Sequence, residues 1–85
     1  MTEEELYERL TERIPPQQVI AAAIEELSEL STELARYFNL KEKVEAIEEE
    51  IADVEIIVKH LRKIFDESAI DRWKKTKLEK LRKRI

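Results

Sequence analysis

Aliphatic residues recur along this chain every three to four positions with charged residues between them, and no stretch keeps the two-residue alternation of a strand. The pattern predicts four helices. Leu6, Leu10 and Ile14 give the first an apolar stripe over residues 1–14, Thr2 with Glu5 forms a capping box at its start, and Pro15-Pro16 ends it. Pro16 also suits the first position of a second helix, where a missing N–H costs nothing. That helix is expected from Pro16 to Phe38, with Ile20, Ala23, Ile24, Leu27, Leu30, Leu34 and Phe38 as its core face. Asn39 is its expected C-cap, because asparagine tolerates the left-handed backbone that glycine otherwise supplies.

The third helix is expected from about Lys41 to Phe65 and carries two adjoining stripes. Val44, Ile47, Ile51, Val54, Val58, Leu61 and Phe65 form the main one. Ala46, Glu50, Asp53, Ile57 and Ile64 fall within about 60° of one another beside it. After a break at Asp66-Glu67-Ser68-Ala69, Ser68 with Asp71 can cap a fourth helix over residues 68–85. Ile70, Trp73, Leu78, Leu81 and Ile85 set its apolar side and lysines and arginines crowd the rest. Trp73 reads as the anchor of this helix in the core, and Tyr37 and Phe38 as packing near the turn between the second and third helices. The fold class is therefore all-α: one domain over 1–85, built on an antiparallel helical hairpin (16–66) with flanking helices.

Within the hairpin, one acidic template occurs twice, as Glu25-Glu26-Leu27-Ser28-Glu29-Leu30 and Glu49-Glu50-Ile51-Ala52-Asp53-Val54. Glu26 and Glu29, and likewise Glu50 and Asp53, stand at i and i+3, on one helix face with Cβ atoms about 5–6 Å apart. If the chain turns near Asn39-Leu40, the pairs Glu26/Asp53 and Glu29/Glu50 share one level along the hairpin. Four unpaired like charges at one height raise each other's pKa. A hard divalent cation such as Mg²⁺, with Mn²⁺ as an alternative ion, would relieve that conflict and leave coordination places for water and phosphate. Surface acids on a helix are mostly solvated, but duplication, level matching and the isoleucines beside Glu50 and Asp53 favour a site.

Composition narrows the remaining choices. At 85 residues, a lone core is marginal and self-association a common remedy. Two stripes on the third helix exceed what one chain can cover, so a homodimer or homotetramer is expected, burying the second and third helices in a four-helix-bundle-type homo-oligomer. The chain has no Cys, which removes disulfides and thiolate chemistry and is compatible with the cytoplasm. No signal-peptide core is evident and no apolar run approaches the roughly 18–20 residues of a membrane span. Residues 1–55 hold 16 acids and 5 bases, a net of −11, whereas residues 56–85 hold 4 and 11, a net of +7. Such a split suggests complementary pairing or separate metal and phosphate sites. It argues only weakly for nucleic acid, since the basic part is short and the acidic part would repel a duplex. His60, the single histidine, reads as a surface or interface residue, and no Ser or Thr has the partners of a triad.

Glu25-Glu26-x-x-Glu29 followed after 20 residues by Glu50-x-x-Asp53 resembles the metal-binding signature of the MazG-like all-α nucleoside triphosphate pyrophosphohydrolases. The likeness covers residues 17–66 well and the fourth helix loosely. It implies hydrolysis of an NTP or dNTP to the monophosphate and pyrophosphate, with Mg²⁺ held by Glu26, Glu29, Glu50 and Asp53. Glu25 or one of the ligands, Glu50 among them, would be the general base. A triphosphate also needs cationic partners, for which Lys74, Lys77 and Arg82 are the candidates. The competing reading is a non-enzymatic helical interaction module that pairs acidic and basic helix faces.

Overall fold

The computed structural model describes residues 1–40 and 43–85. It contains, among these residues, four helices: α1 (Glu3–Arg13), α2 (Pro16–Leu40), α3 (Val44–Ile64) and α4 (Glu67–Lys83). Local chemistry explains most of their ends. Thr2 caps α1 by accepting from the Glu5 N–H at 3.1 Å, and its hydroxyl donates to the Glu5 carboxylate. Pro16 opens α2 as its first residue.

Two ends differ from the sequence expectation, and a third falls partly outside the described residues. α2 does not stop before Asn39; it runs through Leu40, and the Asn39 side chain donates back to the Ala35 carbonyl at 2.9 Å, a bond that keeps it helical. Lys43 precedes α3 with a left-handed φ of 35°, a conformation a chain without glycine must give to another residue. The expected start of that helix, Lys41, lies outside the described residues. α4 is capped by Asp66, which accepts from the Ala69 N–H at 3.1 Å, two residues ahead of the Ser68–Asp71 pair. Asp71 is instead drawn to Arg62 of α3.

The α2–α3 hairpin is the centre of the fold, and α1 and α4 attach to α3. Its two helices do not meet through their largest apolar residues. Val19 and Ala23 are buried on α2, with Ala22, Glu26, Leu30 and Glu33 half-buried. On α3, all five residues of the second stripe (Ala46, Glu50, Asp53, Ile57 and Ile64) are half-buried. The stripes expected to form the core are largely left open: Ile20, Ile24, Leu27, Leu34 and Phe38 on α2, and Val44, Ile51, Val58 and Phe65 on α3, are exposed. A two-helix hairpin can cover one strip of each helix, and here it covers the strip with the acids.

α1 packs by Tyr7 rather than by Leu6, which is exposed. The Tyr7 ring is 4% accessible and meets His60 edge-on, at 6.3 Å between centroids and 65° between planes, while Lys59 Nζ sits 5.2 Å from its centroid. His60, expected at the surface or at an interface, is thus buried at 5% accessibility where α1 meets α3. Its Nε2 has no hydrogen-bond partner among the described residues. Ion pairs border this contact: Lys59 to Glu3 at 2.9 Å, and Lys63 to Glu4 of α1 and, at 3.5 Å, to Glu67 of α4. The Glu3 and Glu4 carboxylates hold the Lys59 and Lys63 ammonium groups above their ordinary pKa despite partial burial. Trp73 is 66% accessible and so is not the core anchor expected of it. Tyr37 and Phe38 are exposed as well, since α2 carries them past the level at which its neighbours cover it. No helix among the described residues is long and apolar enough to cross a membrane.

Candidate metal centre

Helical spacing sets the first half of the site and the hairpin sets the second. Glu26 and Glu29, one turn apart on α2, present carboxylates to the same side, and α3 brings Glu50 against them. One carboxylate oxygen from each of the three lies within 4.8 Å of the other two. The ligand atoms of a small divalent ion, each about 2.0–2.6 Å from the metal, are spaced in that range. Glu26 and Glu50 are half-buried and Glu29 is exposed, so the cluster sits at the mouth of the helix interface.

Asp53 is not among the three converging oxygens, but it is near enough for its charge to act on both Glu26 and Glu50. Burial, first, and then the charges of Glu29, Asp53 and Glu25 raise the Glu26 carboxyl above its ordinary pKa. Glu50 is raised by burial and then by Glu29, Asp53 and Glu26. For both groups the adjoining Glu29 carboxylate, which can accept their proton, adds to the effect.

Hydrogen bonding leaves the same two residues incomplete. Glu26 Oε2 and Glu50 Oε2 are buried without a partner among the described residues, although buried polar atoms in folded proteins are nearly always paired. Hard oxygen donors, negative charge in excess and orphaned acceptor atoms together fit a divalent cation. They do not fit an anion. An isolated salt bridge would equally satisfy them, but no Lys or Arg among the described residues pairs with Glu26, Glu29 or Glu50.

An open recess of about 510 Å³ lies beside the cluster, lined by Glu25, Ser28, Glu29, Thr32, Glu33 and Glu50. Its size is that of a small-molecule pocket, roughly 300–1,000 Å³, though its lining residues are all acidic or hydroxyl-bearing where such pockets are mostly lined by hydrophobic side chains. Glu25 therefore stands within the recess, outside the converging set. Ser28, Thr32 and Glu33 were not singled out from the sequence; their positions three, seven and eight residues from Glu25 place them on its face and could have been read from the helical period.

The three cationic candidates lie elsewhere within a single chain. Lys74 lines a separate groove between α3 and α4 with Val54, Glu55, Val58, Lys59 and Arg62, and Arg82 pairs with Glu79 on its own helix. Lys77 is exposed on α4, and none of the three lines the acidic recess. No protein-family model matches this chain, and neither a curated protein nor a solved structure matches it, so the MazG-like resemblance rests on the acidic residues themselves.

Proposed function

We propose that the chain is a Mg²⁺-dependent nucleoside triphosphate pyrophosphohydrolase, acting in the cytoplasm as a homo-oligomer on an NTP or dNTP. The observation that carries this reading is the meeting of Glu26, Glu29 and Glu50 around two unpaired, buried carboxylate oxygens, beside a recess large enough for part of a nucleotide. The resemblance of the repeated acidic motif to MazG-like enzymes supplies the reaction.

Glu26, Glu29 and Glu50, with Asp53 beside them, would hold the ion. When bound, Mg²⁺ supplies charge neutralisation at phosphoryl oxygens and a more acidic bound water. The protein supplies the rest. Either Glu25 or one of the ligands, Glu50 among them, is the proposed general base, taking a proton from the water that attacks the α-phosphorus as pyrophosphate leaves. Lys74, Lys77 and Arg82 are the proposed phosphate partners. The exposed stripes of α2 and α3 support self-association, with a second copy's hairpin completing a four-helix arrangement.

The same exposed stripes favour a second reading, a helical interaction module without catalysis. Two measurements on one sample separate them. A hydrolase shows a Mg²⁺-dependent rise in melting temperature and releases pyrophosphate from at least one member of a nucleotide panel. An interaction module shows neither.

A further inference from the structure

α4 is the least supported element of the fold. From Asp71 to Ile85 every residue is exposed. Its own chain grips it near the first turn, where Arg62 meets Glu67 and Asp71 and Lys63 meets Glu67. Beyond that, the groove of about 340 Å³ opens between α3 and α4. A helix of 17 residues is marginal in water unless an apolar face is packed on something. α4 has such a face: at about 100° per residue, Ile70, Trp73 and Leu81 fall within roughly 80° of one another, with the aliphatic stem of Lys77 between them and Leu78 at the edge.

The hairpin offers a matching surface. Glu26 and Glu50 face each other across antiparallel helices, so one step along each helix carries Leu27 and Ile51 to the same side. Ile24 and Leu34 flank Leu27 there, and all are exposed. The area involved is large. The chain exposes 7130 Å², whereas a folded monomer of 10.2 kDa exposes about 5,300 Å². Its radius of gyration is 15.5 Å, against roughly 12 Å for a compact domain of this length. The excess, about 1,800 Å² per chain, falls within what each subunit of an obligate homodimer buries, on the order of 1,000–2,500 Å².

Charge selects the occupant. α4 belongs to the part of the chain with net +7, and the part that carries the open hairpin face has net −11. A second copy brings that acidic surface to α4, whereas an anionic membrane or a nucleic acid would be repelled by it. We infer that α4 is an assembly arm, whose Trp73–Leu81 strip packs on α2 of a second copy, over Ile24, Leu27 and Leu34, with each copy doing the same to the other. This arm rests on the self-association proposed above and stands whether or not the acidic cluster is catalytic.

The sequence provides clean probes, because Trp73 is the only tryptophan and there is no cysteine. Light scattering on the full chain gives the mass, and acrylamide quenching of Trp73 is followed across the dimer–monomer transition on dilution. In parallel, full-length Ile24→Cys and Leu78→Cys chains carrying tags of different mass are mixed and treated with a short bismaleimide. The expected result is a dimer whose Trp73 is quenched several-fold less than after dilution, with a cross-link joining the two different chains. Trp73→Glu is expected to weaken the dimer at least tenfold while far-ultraviolet circular dichroism stays helical. A dimer in which Trp73 is as quenchable as in urea, or without the cross-link, would overturn the arm but leave hairpin association intact. A monomer would overturn both. Protection of Trp73 that appears only with anionic vesicles or an oligonucleotide would assign α4 to that partner instead.

Discussion

Glu26 and Glu50 stand on different helices, yet each keeps a buried carboxylate oxygen without a hydrogen-bond partner, and both converge with Glu29 within 4.8 Å. A fold that merely tolerated surface acids would let these side chains reach water. Holding them together at the helix interface works against the stability of the metal-free chain, since like charges repel and burial disfavours ionisation. That conflict makes the cluster open to test.

Glu50→Gln removes one charge and almost no volume. The melting temperature of the metal-free variant is expected to rise above that of the wild type at neutral pH, and its response to Mg²⁺ to shrink. Asp53→Asn should move in the same direction by less, because Asp53 acts on the converging oxygens through its charge. Thermal melts of the three proteins with and without Mg²⁺ check this. A lower melting temperature for Glu50→Gln would mean that the carboxylate is held by favourable contacts.

The pH dependence has a definite sign. Glu26 and Glu50 have folded-state pKa values above their ordinary value of 4.5, so between about 4.5 and those raised values the folded chain binds more protons than the unfolded chain. Their contribution to stability is fully present below 4.5 and is lost as pH rises through the raised folded pKa. The difference in melting temperature between Glu50→Gln and wild type should therefore grow with pH across that window and level off above it. Saturating Mg²⁺ should flatten the wild-type profile, because a cation favours the ionised form. A difference that shrinks with rising pH would contradict the account.

Tyr7 and His60 make the main contact between α1 and the hairpin. Tyr7→Ala is expected to cost about 3–4 kcal/mol, a large share of the total stability of so small a domain. His60→Leu should be near neutral or slightly stabilising, as it removes a buried nitrogen that has no partner and keeps the packing. Urea denaturation of both variants measures these effects, and an equal loss in both would show that the His60 nitrogen is satisfied by something beyond the described contacts.

Much of this was legible in the sequence, and the failures share one cause. Helical period and the prolines gave four helices with ends near those observed, and the half-buried stripe from Ala46 to Ile64 follows from counting alone. The clustering of Glu29 with Glu50 follows from their level in the hairpin. What the period cannot decide is which of two adjoining apolar strips is used inside the chain. On α3, the larger strip of Val44, Ile51, Val58 and Phe65 looked like the core, but it is exposed, and the strip with alanine and acids faces inward. Tyr7 and His60 were missed for a related reason: each is polar at its tip, and only the crossing of α1 over α3 shows that their rings meet. The capping of α4 by Asp66 instead of Ser68 is a choice between two nearby residues of similar chemistry.

The central claim is that the Glu26–Glu29–Glu50 cluster binds a divalent ion and with it cleaves a nucleoside triphosphate. The most direct measurement is the initial rate of pyrophosphate release from a panel of NTPs and dNTPs, titrated with Mg²⁺ for the wild type and Glu50→Gln in parallel. The account predicts at least one substrate whose turnover requires Mg²⁺, and a fall on the order of 100-fold or more in Glu50→Gln while its helical content and assembly are retained. Pyrophosphate release that is unaffected by chelation, or equal in the two proteins, would contradict it, as would its absence across the whole panel from correctly assembled wild type in saturating Mg²⁺.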